Sequence, residues 1–101
     1  NTYTVYKVRL ADRSAPEYKW EMVQRGKGRV DFQTDTLLDE DVGAWQIYDF
    51  TGIEPGDLKI EMQYTNGNSI MYSVTFDLTV NEDGTIRENS VDGDVDEAMT
   101  S

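Results

Sequence analysis

The sequence from residue 57 to residue 80 reads DLKIEMQYTNGNSIMYSVTFDLTV, and this stretch decides the fold. Apolar side chains occupy every second position on both sides of the Thr-Asn-Gly-Asn segment at 65–68. A period of two puts these side chains on one face of an extended strand, whereas a helix would scatter them around its circumference. Asn-Gly is a strong signal for a tight turn between paired strands. We therefore predict an antiparallel pair, with strands over 57–65 and 69–80.

Shorter segments on either side of this hairpin show the same strand composition. We predict strands over Tyr3–Leu10, around Tyr18–Met22, around Val30–Phe32 and over Trp45–Phe50, and a weaker strand over Thr85–Arg87. The glycines at 26 and 28 and the Pro-Gly pair at 55–56 supply turns between them, because proline pre-sets one backbone angle and glycine accepts a positive one. Six or seven short strands separated by turns indicate an all-β antiparallel sandwich of about seven strands.

Two segments differ from core strands. The segment 34–43 is acidic, and Thr36 with Asp39 could begin a short helical turn. The last residues are polar, acidic and poor in aromatic side chains, which is typical of a mobile chain end. We therefore predict a sandwich domain over 1–88 and an acidic, flexible C-terminal tail over 89–101.

The composition excludes several kinds of catalytic site. The 101-residue chain contains no cysteine and no histidine, so it can hold no disulfide and no Ser-His-acid or Cys-His machinery. Carboxylate pairs and lysine chemistry remain open, but we predict that the chain is not an enzyme and has no catalytic residue and no cofactor. The alternating Asp92, Asp94 and Asp96 do not follow the spacing of an EF-hand loop, and we predict no metal site.

The charge balance bears on partners and on location. Twenty acidic and nine basic residues give a net charge of −11, which repels nucleic acid and anionic membranes. No apolar run reaches the roughly 18 residues of a spanning helix, so no membrane insertion is predicted. The chain begins at Asn1 rather than Met, which fits either a removed signal segment or a trimmed sequence. We expect a secreted or cell-surface protein, and the sequence indicates no oligomeric state.

Two stretches carry a family pattern. The first, LADRSAPEYKW at 10–20, ends in aromatic-x-Trp. The second, GAWQIYDFTGIEPGDLKIEMQY at 43–64, has a glycine turn, an aromatic-x-aromatic strand, a Pro-Gly turn and an alternating strand that ends in tyrosine. In order and spacing they resemble the chagasin family, immunoglobulin-like inhibitors of papain-type cysteine proteases. The resemblance covers about three-quarters of the chain and implies an immunoglobulin-like sandwich.

The departures from the family fall on its inhibitory loops. The first family loop reads Asn-Pro-Thr-Thr-Gly, whereas this chain has Arg-Ser-Ala-Pro-Glu at 13–17. The third reads Arg-Pro-Trp, whereas this chain has Thr-Asn-Gly-Asn at 65–68, and only the glycine-containing second loop at 41–44 is partly kept. The resemblance therefore supports the fold better than it supports inhibition. The retained aromatic residues are expected in the core: Tyr18, Trp20, Phe50 and Tyr64.

The resemblance implies a non-enzymatic extracellular binding domain, a chagasin-like inhibitor that occludes the cleft of a papain-like cysteine protease with loops at one end of the sandwich. The alternative is an immunoglobulin-like cell-surface interaction or adhesion module without protease activity. Under either hypothesis the partner is a protein. The expected contact residues are Arg13, Ser14, Ala15, Pro16, Glu17, Gly43, Ala44, Trp45, Asn66, Gly67 and Asn68.

Two further questions stay open from the sequence. Trp45 is either an exposed anchor, the residue type most often found at binding hot spots, or a buried strand residue that Leu37 and Leu38 cover. Carbohydrate binding is a third functional hypothesis, and it would need exposed aromatic side chains in a planar row. The tyrosines available for such a row are Tyr3, Tyr6, Tyr48 and Tyr72.

Overall fold

The computed structural model describes residues 1–101, which form nine β-strands and one turn of 3₁₀-helix. The strands pair in two antiparallel sheets, a five-stranded sheet in the order β1-β8-β7-β6-β3 and a four-stranded sheet in the order β4-β5-β2-β9. The elements are β1 Thr2–Tyr3, β2 Tyr6–Asp12, β3 Lys19–Gly26, β4 Arg29–Asp39, β5 Gly43–Glu54, β6 Gly56–Thr65, β7 Ile70–Val80, β8 Ile86–Gly93, the 3₁₀ turn Val95–Glu97 and β9 Ala98–Thr100.

The predicted fold class is confirmed as an all-β, two-sheet antiparallel sandwich, with nine strands instead of about seven. The hairpin that decides the fold is β6 and β7, in which Leu58 faces Leu78 and Ile60 faces Phe76. A bulge at Tyr64/Thr65 places the connecting turn at 66–69. No helix in the structure is long and apolar enough to cross a membrane.

The core lies between the two sheets and consists of fifteen buried hydrophobic residues. Its members alternate along the strands with exposed polar residues, as the period of two requires. The prediction that Trp20, Phe50 and Tyr64 lie in the core is confirmed, because all three are buried. Tyr18 packs against the same cluster and stays partly exposed.

The helical turn predicted at Thr36–Asp39 is wrong. β4 continues to Asp39 and pairs with β5 along its whole length. As an edge strand that is exposed on both faces over 33–38, it does not show the alternation that reveals a strand in the sequence. Two of its N–H groups, those of Phe32 and Thr36, donate to the side chains of Asp31 and Asp35 at 2.9 and 2.8 Å, so the edge carries fewer free donors.

The structure places residues 89–101 in the sandwich rather than in the predicted flexible tail. β8 pairs with β7 as far as Gly93, the 3₁₀ turn then crosses to the four-stranded sheet, and β9 pairs with β2. Beyond β9, the backbones of Ser101 and Lys7 exchange two hydrogen bonds of 2.8 and 2.9 Å. Backbone pairing of this kind needs little apolar surface, which is why a polar composition concealed it.

The strand directions give the sandwich two distinct ends. At one end lie the β2–β3 loop at 13–18, the β4–β5 turn at 40–42, the β6–β7 turn at 66–69 and the 3₁₀ turn; we call this the loop end. At the opposite end lie the turns at 27–28 and 81–85. Both chain termini also lie there, since Thr2 pairs with Arg87 at the start of β8, and Ser101 pairs with Lys7 at the start of β2.

Candidate functional site

The three loops predicted to bind a partner lie side by side at the loop end. The loop 13–18 is in the middle. On one side it contacts the β4–β5 turn so closely that a Cβ on Gly43 would stand 2.8 Å from the carbonyl oxygen of Asp12 and 3.2 Å from Ser14 Oγ. On the other side the hydroxyl groups of Tyr18 and Ser69 are hydrogen-bonded at 2.7 Å, which ties the loop to the β6–β7 turn. The structure therefore brings together segments that are far apart in sequence.

A buried tyrosine supports the loop 13–18 from below. The Tyr64 hydroxyl donates to Asp12 Oδ1 at 2.8 Å and accepts from the Ala15 N–H at 3.2 Å. Asp12 Oδ1 also accepts from the Ser14 N–H at 3.0 Å. Burial and the hydrogen bond to Asp12 raise the pKa of the Tyr64 phenol, so it remains an intact donor at neutral pH. The start of the loop is thus fixed by three connected hydrogen bonds.

The tip of the loop is a tight turn. The Tyr18 N–H donates to the Ala15 carbonyl at 3.1 Å, with Pro16 and Glu17 between them. Glu17 has a φ of 66°, so it occupies the position of a turn at which a positive φ is required. Pro16 and Glu17 are both exposed. They are therefore the part of the loop that a partner would meet first.

Arg13 is held by an ion pair instead of being free for a partner. Its Nε and one terminal nitrogen donate to the two carboxylate oxygens of Glu97 at 2.7 and 3.0 Å. The side chain of Glu97 is only 10% exposed, although that of Arg13 is 44% exposed. These hydrogen bonds and the charge of Glu97 raise the pKa of the Arg13 guanidinium above its ordinary value. Sequence reasoning missed Glu97, because 84 residues separate the pair and no local pattern signals it.

A layer of aromatic rings lies directly under the loops. The ring of Tyr64 is 5.1 Å from that of Trp20, 5.5 Å from that of Tyr18 and 6.0 Å from that of Tyr72, measured between centroids. The Trp20 indole N–H donates to the Ala11 carbonyl at 2.9 Å. Aromatic pairs at these separations stabilise the fold beyond the burial of their surface, so the loops pack on a well-stabilised cluster of rings.

The β4–β5 turn is organised by one carboxylate. Asp39 Oδ1 accepts from the N–H groups of Asp41 and Val42 at 2.8 and 3.0 Å, and Oδ2 accepts from the Trp45 indole at 3.2 Å. Trp45 is half-buried and lies opposite Leu37 on the outer face of the four-stranded sheet. Its indole is thus bound within the β4–β5 turn at the loop end, and part of the side chain remains exposed. Leu38 faces the other side of the strand and is 82% exposed, so it covers nothing.

The β6–β7 turn is also fixed by a side chain. Asn66 Oδ1 accepts from the N–H groups of Asn68 and Ser69, both at 2.9 Å. Gly67 has a φ of 96°, and a Cβ at this position would meet no other atom, so the outer side of the turn is open, while the Gly67 N–H donates to Thr65 Oγ1 at 3.0 Å. Of the predicted contact residues, Asn66, Gly67 and Asn68 are exposed here, whereas Ala44 is buried.

Exposed apolar side chains concentrate at the loop end, and the sequence did not predict their exposure. Five of the nine large apolar side chains that are exposed lie in or next to its turns: Leu37, Leu38, Ile70, Met71 and Val95. Exposed apolar groups that gather beside polar loops are typical of an interaction surface. We call these five residues the apolar rim.

The bonds of Asp39 make the turn sensitive to acid. The N–H groups of Val42 and Asp41 and the Trp45 indole lower the pKa of Asp39 below its ordinary value. These hydrogen bonds therefore make their full contribution to the free energy of unfolding above the ordinary aspartate pKa of about 3.9. The contribution is lost as the pH falls through the lowered pKa of Asp39 in the folded state. We expect the indole N–H resonance of Trp45 to shift in that range. The Trp20 indole, which donates to a carbonyl, is the internal control, and an equal shift of both would contradict this assignment.

No group of three or more acidic side chains is arranged to hold a metal ion. In the alternating acidic run, Asp94 accepts a hydrogen bond from the Ser73 N–H at 2.8 Å.

Comparisons of the chain with models of known protein families, with characterised proteins and with solved structures found no match. The proposal on function therefore rests on the geometry of the loop end.

Proposed function

We propose that the chain is a non-enzymatic extracellular binding domain whose loop end occludes the cleft of a papain-like cysteine protease. The observation that carries the proposal is the position of the loop 13–18, which lies between the turns at 40–42 and 66–69. Three adjacent loops with an exposed proline turn at the centre form a wedge. The resemblance to the chagasin family implies the same use for loops at these places in the chain.

The bracing of the central loop favours insertion into a cleft. Binding usually costs entropy when a loop becomes ordered on its partner. Here Tyr64, Asp12 and the Tyr18–Ser69 hydrogen bond fix the loop in advance. Pro16 adds a backbone angle that its ring holds constant. The loop therefore loses little further conformational entropy when a partner binds.

The apolar rim supplies surface that the changed loops lack. The turn at 66–69 contains no aromatic residue, but Ile70 and Met71 follow it directly and are exposed. The charged residues at the tips of the first and second loops, Glu17, Glu40 and Asp41, are acidic, whereas Arg13 is paired with Glu97. An acidic wedge of this kind favours a protease whose cleft carries a basic border.

Inhibition kinetics test the proposal. The full chain is assayed against a panel of papain-like proteases with a fluorogenic peptide substrate. The variant Pro16→Ala/Glu17→Gly is compared with the wild type, because glycine accepts the positive φ of residue 17 and the turn is preserved. We expect at least one enzyme to be inhibited, and the variant to bind about tenfold or more weakly, as for a residue pair at the centre of an interface.

The matched control alters the opposite end of the sandwich. Pro55→Ala/Lys27→Gly changes a proline and a charged residue that are also exposed in turns, and it is expected to inhibit like the wild type. An irreversible active-site inhibitor bound beforehand should prevent complex formation, because both occupy the cleft. Absence of inhibition across the panel at high micromolar concentration would overturn the proposal and favour the interaction-module alternative.

A further inference from the structure

The outer face of the four-stranded sheet is partly exposed to solvent. It contains a hollow of about 540 Å³ in the middle of the sheet. Two smaller hollows adjoin it on the β4 side and share Asp49 with it. The charged and apolar side chains that line the large hollow come from four neighbouring strands: Lys7, Arg9, Asp35, Ile47, Asp49 and Met99. None of them belongs to the loop end.

One oxygen in the hollow lacks a partner. Oδ1 of Asp49 is buried from solvent and accepts no hydrogen bond from the chain, and it is the only buried side-chain polar atom in this condition. A buried acceptor without a donor costs free energy, and such atoms in folded proteins call for a donor from outside the chain. A donor from outside the chain, such as a ligand hydroxyl or a water molecule, can supply the missing hydrogen bond to this oxygen.

The charged side chains around Asp49 form no ion pair within the chain. Lys7 lies directly opposite Asp49 in the pairing of β2 with β5, and Arg9 lies opposite Ile47. The chain forms three ion pairs, and none of them involves Lys7, Arg9, Asp35 or Asp49. Two cationic and two anionic side chains thus line one hollow without pairing.

We propose that this hollow binds a neutral sugar. An anion would be repelled by Asp35 and Asp49, and a cation by Lys7 and Arg9, so a ligand without net charge fits the mixture best. The ligand must donate to the carboxylates and accept from the ammonium and guanidinium groups, and hydroxyl groups do both. Hydrogen bonds to charged side chains are the stronger ones, which suits recognition of several hydroxyls in an open site.

The apolar part of the hollow also suits a sugar ring. Ile47 and Met99 lie on either side of Arg9 in one row across the sheet. These groups can contact the C–H faces of a pyranose while the charged groups bind its hydroxyls. The four tyrosines do not form a planar exposed row, because Tyr6 is buried and Tyr48 packs against the core.

An NMR titration of the ¹⁵N-labelled full chain tests the proposal. The probes are neutral tetrasaccharides of glucose, mannose and N-acetylglucosamine, with glycine, citrate and spermidine as a zwitterion, an anion and a cation. We expect at least one tetrasaccharide to shift the amides of Lys7, Arg9, Ile47 and Asp49 and to leave those of the loop 13–18 in place. Since the loop end is not involved, this result is independent of protease inhibition.

Two variants and a control sharpen the test. Asp49→Asn keeps the shape of the side chain, and Arg9→Gln replaces the guanidinium with a shorter neutral amide; each is expected to weaken sugar binding by about tenfold or more. Lys59→Gln/Asp77→Asn alters a comparable pair on the outer face of the five-stranded sheet and is expected to bind like the wild type.

Three outcomes would overturn the proposal. They are no shift at the hollow with any tetrasaccharide, a stronger response to glycine, citrate or spermidine than to the sugars, and unchanged sugar binding by both variants. The wild-type titration is decisive even where one variant fails to fold.

Discussion

Tyr64→Ala is expected to lower the free energy of unfolding by about 3–5 kcal/mol, the usual cost of replacing a large buried aromatic side chain with alanine. Tyr64 is fully buried, and three other rings surround it. A loss of this size is a large part of the 5–15 kcal/mol that holds a typical domain together. Urea denaturation followed by circular dichroism measures it. The same variant is expected to lose binding at the loop end, because the loop 13–18 rests on this ring.

Tyr64→Phe separates the hydroxyl from the ring. It keeps the packing but leaves Asp12 Oδ1 and the Ala15 N–H without their shared partner, so a loss of about 1–2 kcal/mol is expected. Hydrogen exchange at the Ala15 amide should accelerate. Tyr72→Phe is the matched control, since Tyr72 stacks on Tyr64 but its hydroxyl has no hydrogen-bond partner in the chain. Equal stability of the wild type and the Tyr64→Phe variant would contradict the role assigned to the hydroxyl.

Removal of residues 94–101 is expected to lower the free energy of unfolding by about as much as Tyr64→Ala does. The deletion removes both bonds between Asp94 and Ser73, the Arg13–Glu97 ion pair and the pairing of β9 with β2. The two Asp94–Ser73 bonds and the two Ser101–Lys7 bonds alone amount to about 4 kcal/mol, at about 1 kcal/mol for each net hydrogen bond. The deletion also exposes the edge of β2, and an uncovered edge promotes association with other chains. Urea denaturation and size-exclusion chromatography measure the two effects.

The control for the deletion is Val95→Ser/Met99→Ser in the full-length chain. Both side chains are exposed, and the backbone pairing and Glu97 remain in place, so the stability is expected to change by less than about 0.5 kcal/mol. A shortened chain that unfolds at the same urea concentration as the full chain and stays monomeric would show that these residues behave as the tail that the sequence predicted.

The sequence is most informative where a strand is buried on one face only. Ile60 and Met62 alternate with Glu61, and this difference between the two faces identifies β6 without any knowledge of the fold. An edge strand carries no such difference. Thr34, Asp35 and Thr36 are all exposed, so the second half of β4 cannot be distinguished from a loop by composition.

The candidate site was predictable in its location but not in its construction. The family pattern placed the loops at 13–17, 41–44 and 65–68, and the structure brings these segments together. The family pattern did not predict that Arg13 is bound to Glu97, because that contact depends on the path of the last residues of the chain. The exposure of Leu38 and Met71 was also out of reach, since a large apolar residue in a strand is ordinarily assigned to the core.

The position of the chain termini determines how this domain can be attached to other objects. Both termini lie at the end of the sandwich remote from Pro16 and Gly67. A surface tether, a fluorescent label or a fused carrier joined at either terminus therefore leaves the wedge pointing outward. The same molecule can be immobilised on a sensor chip or presented on a phage particle with its loops free for randomisation.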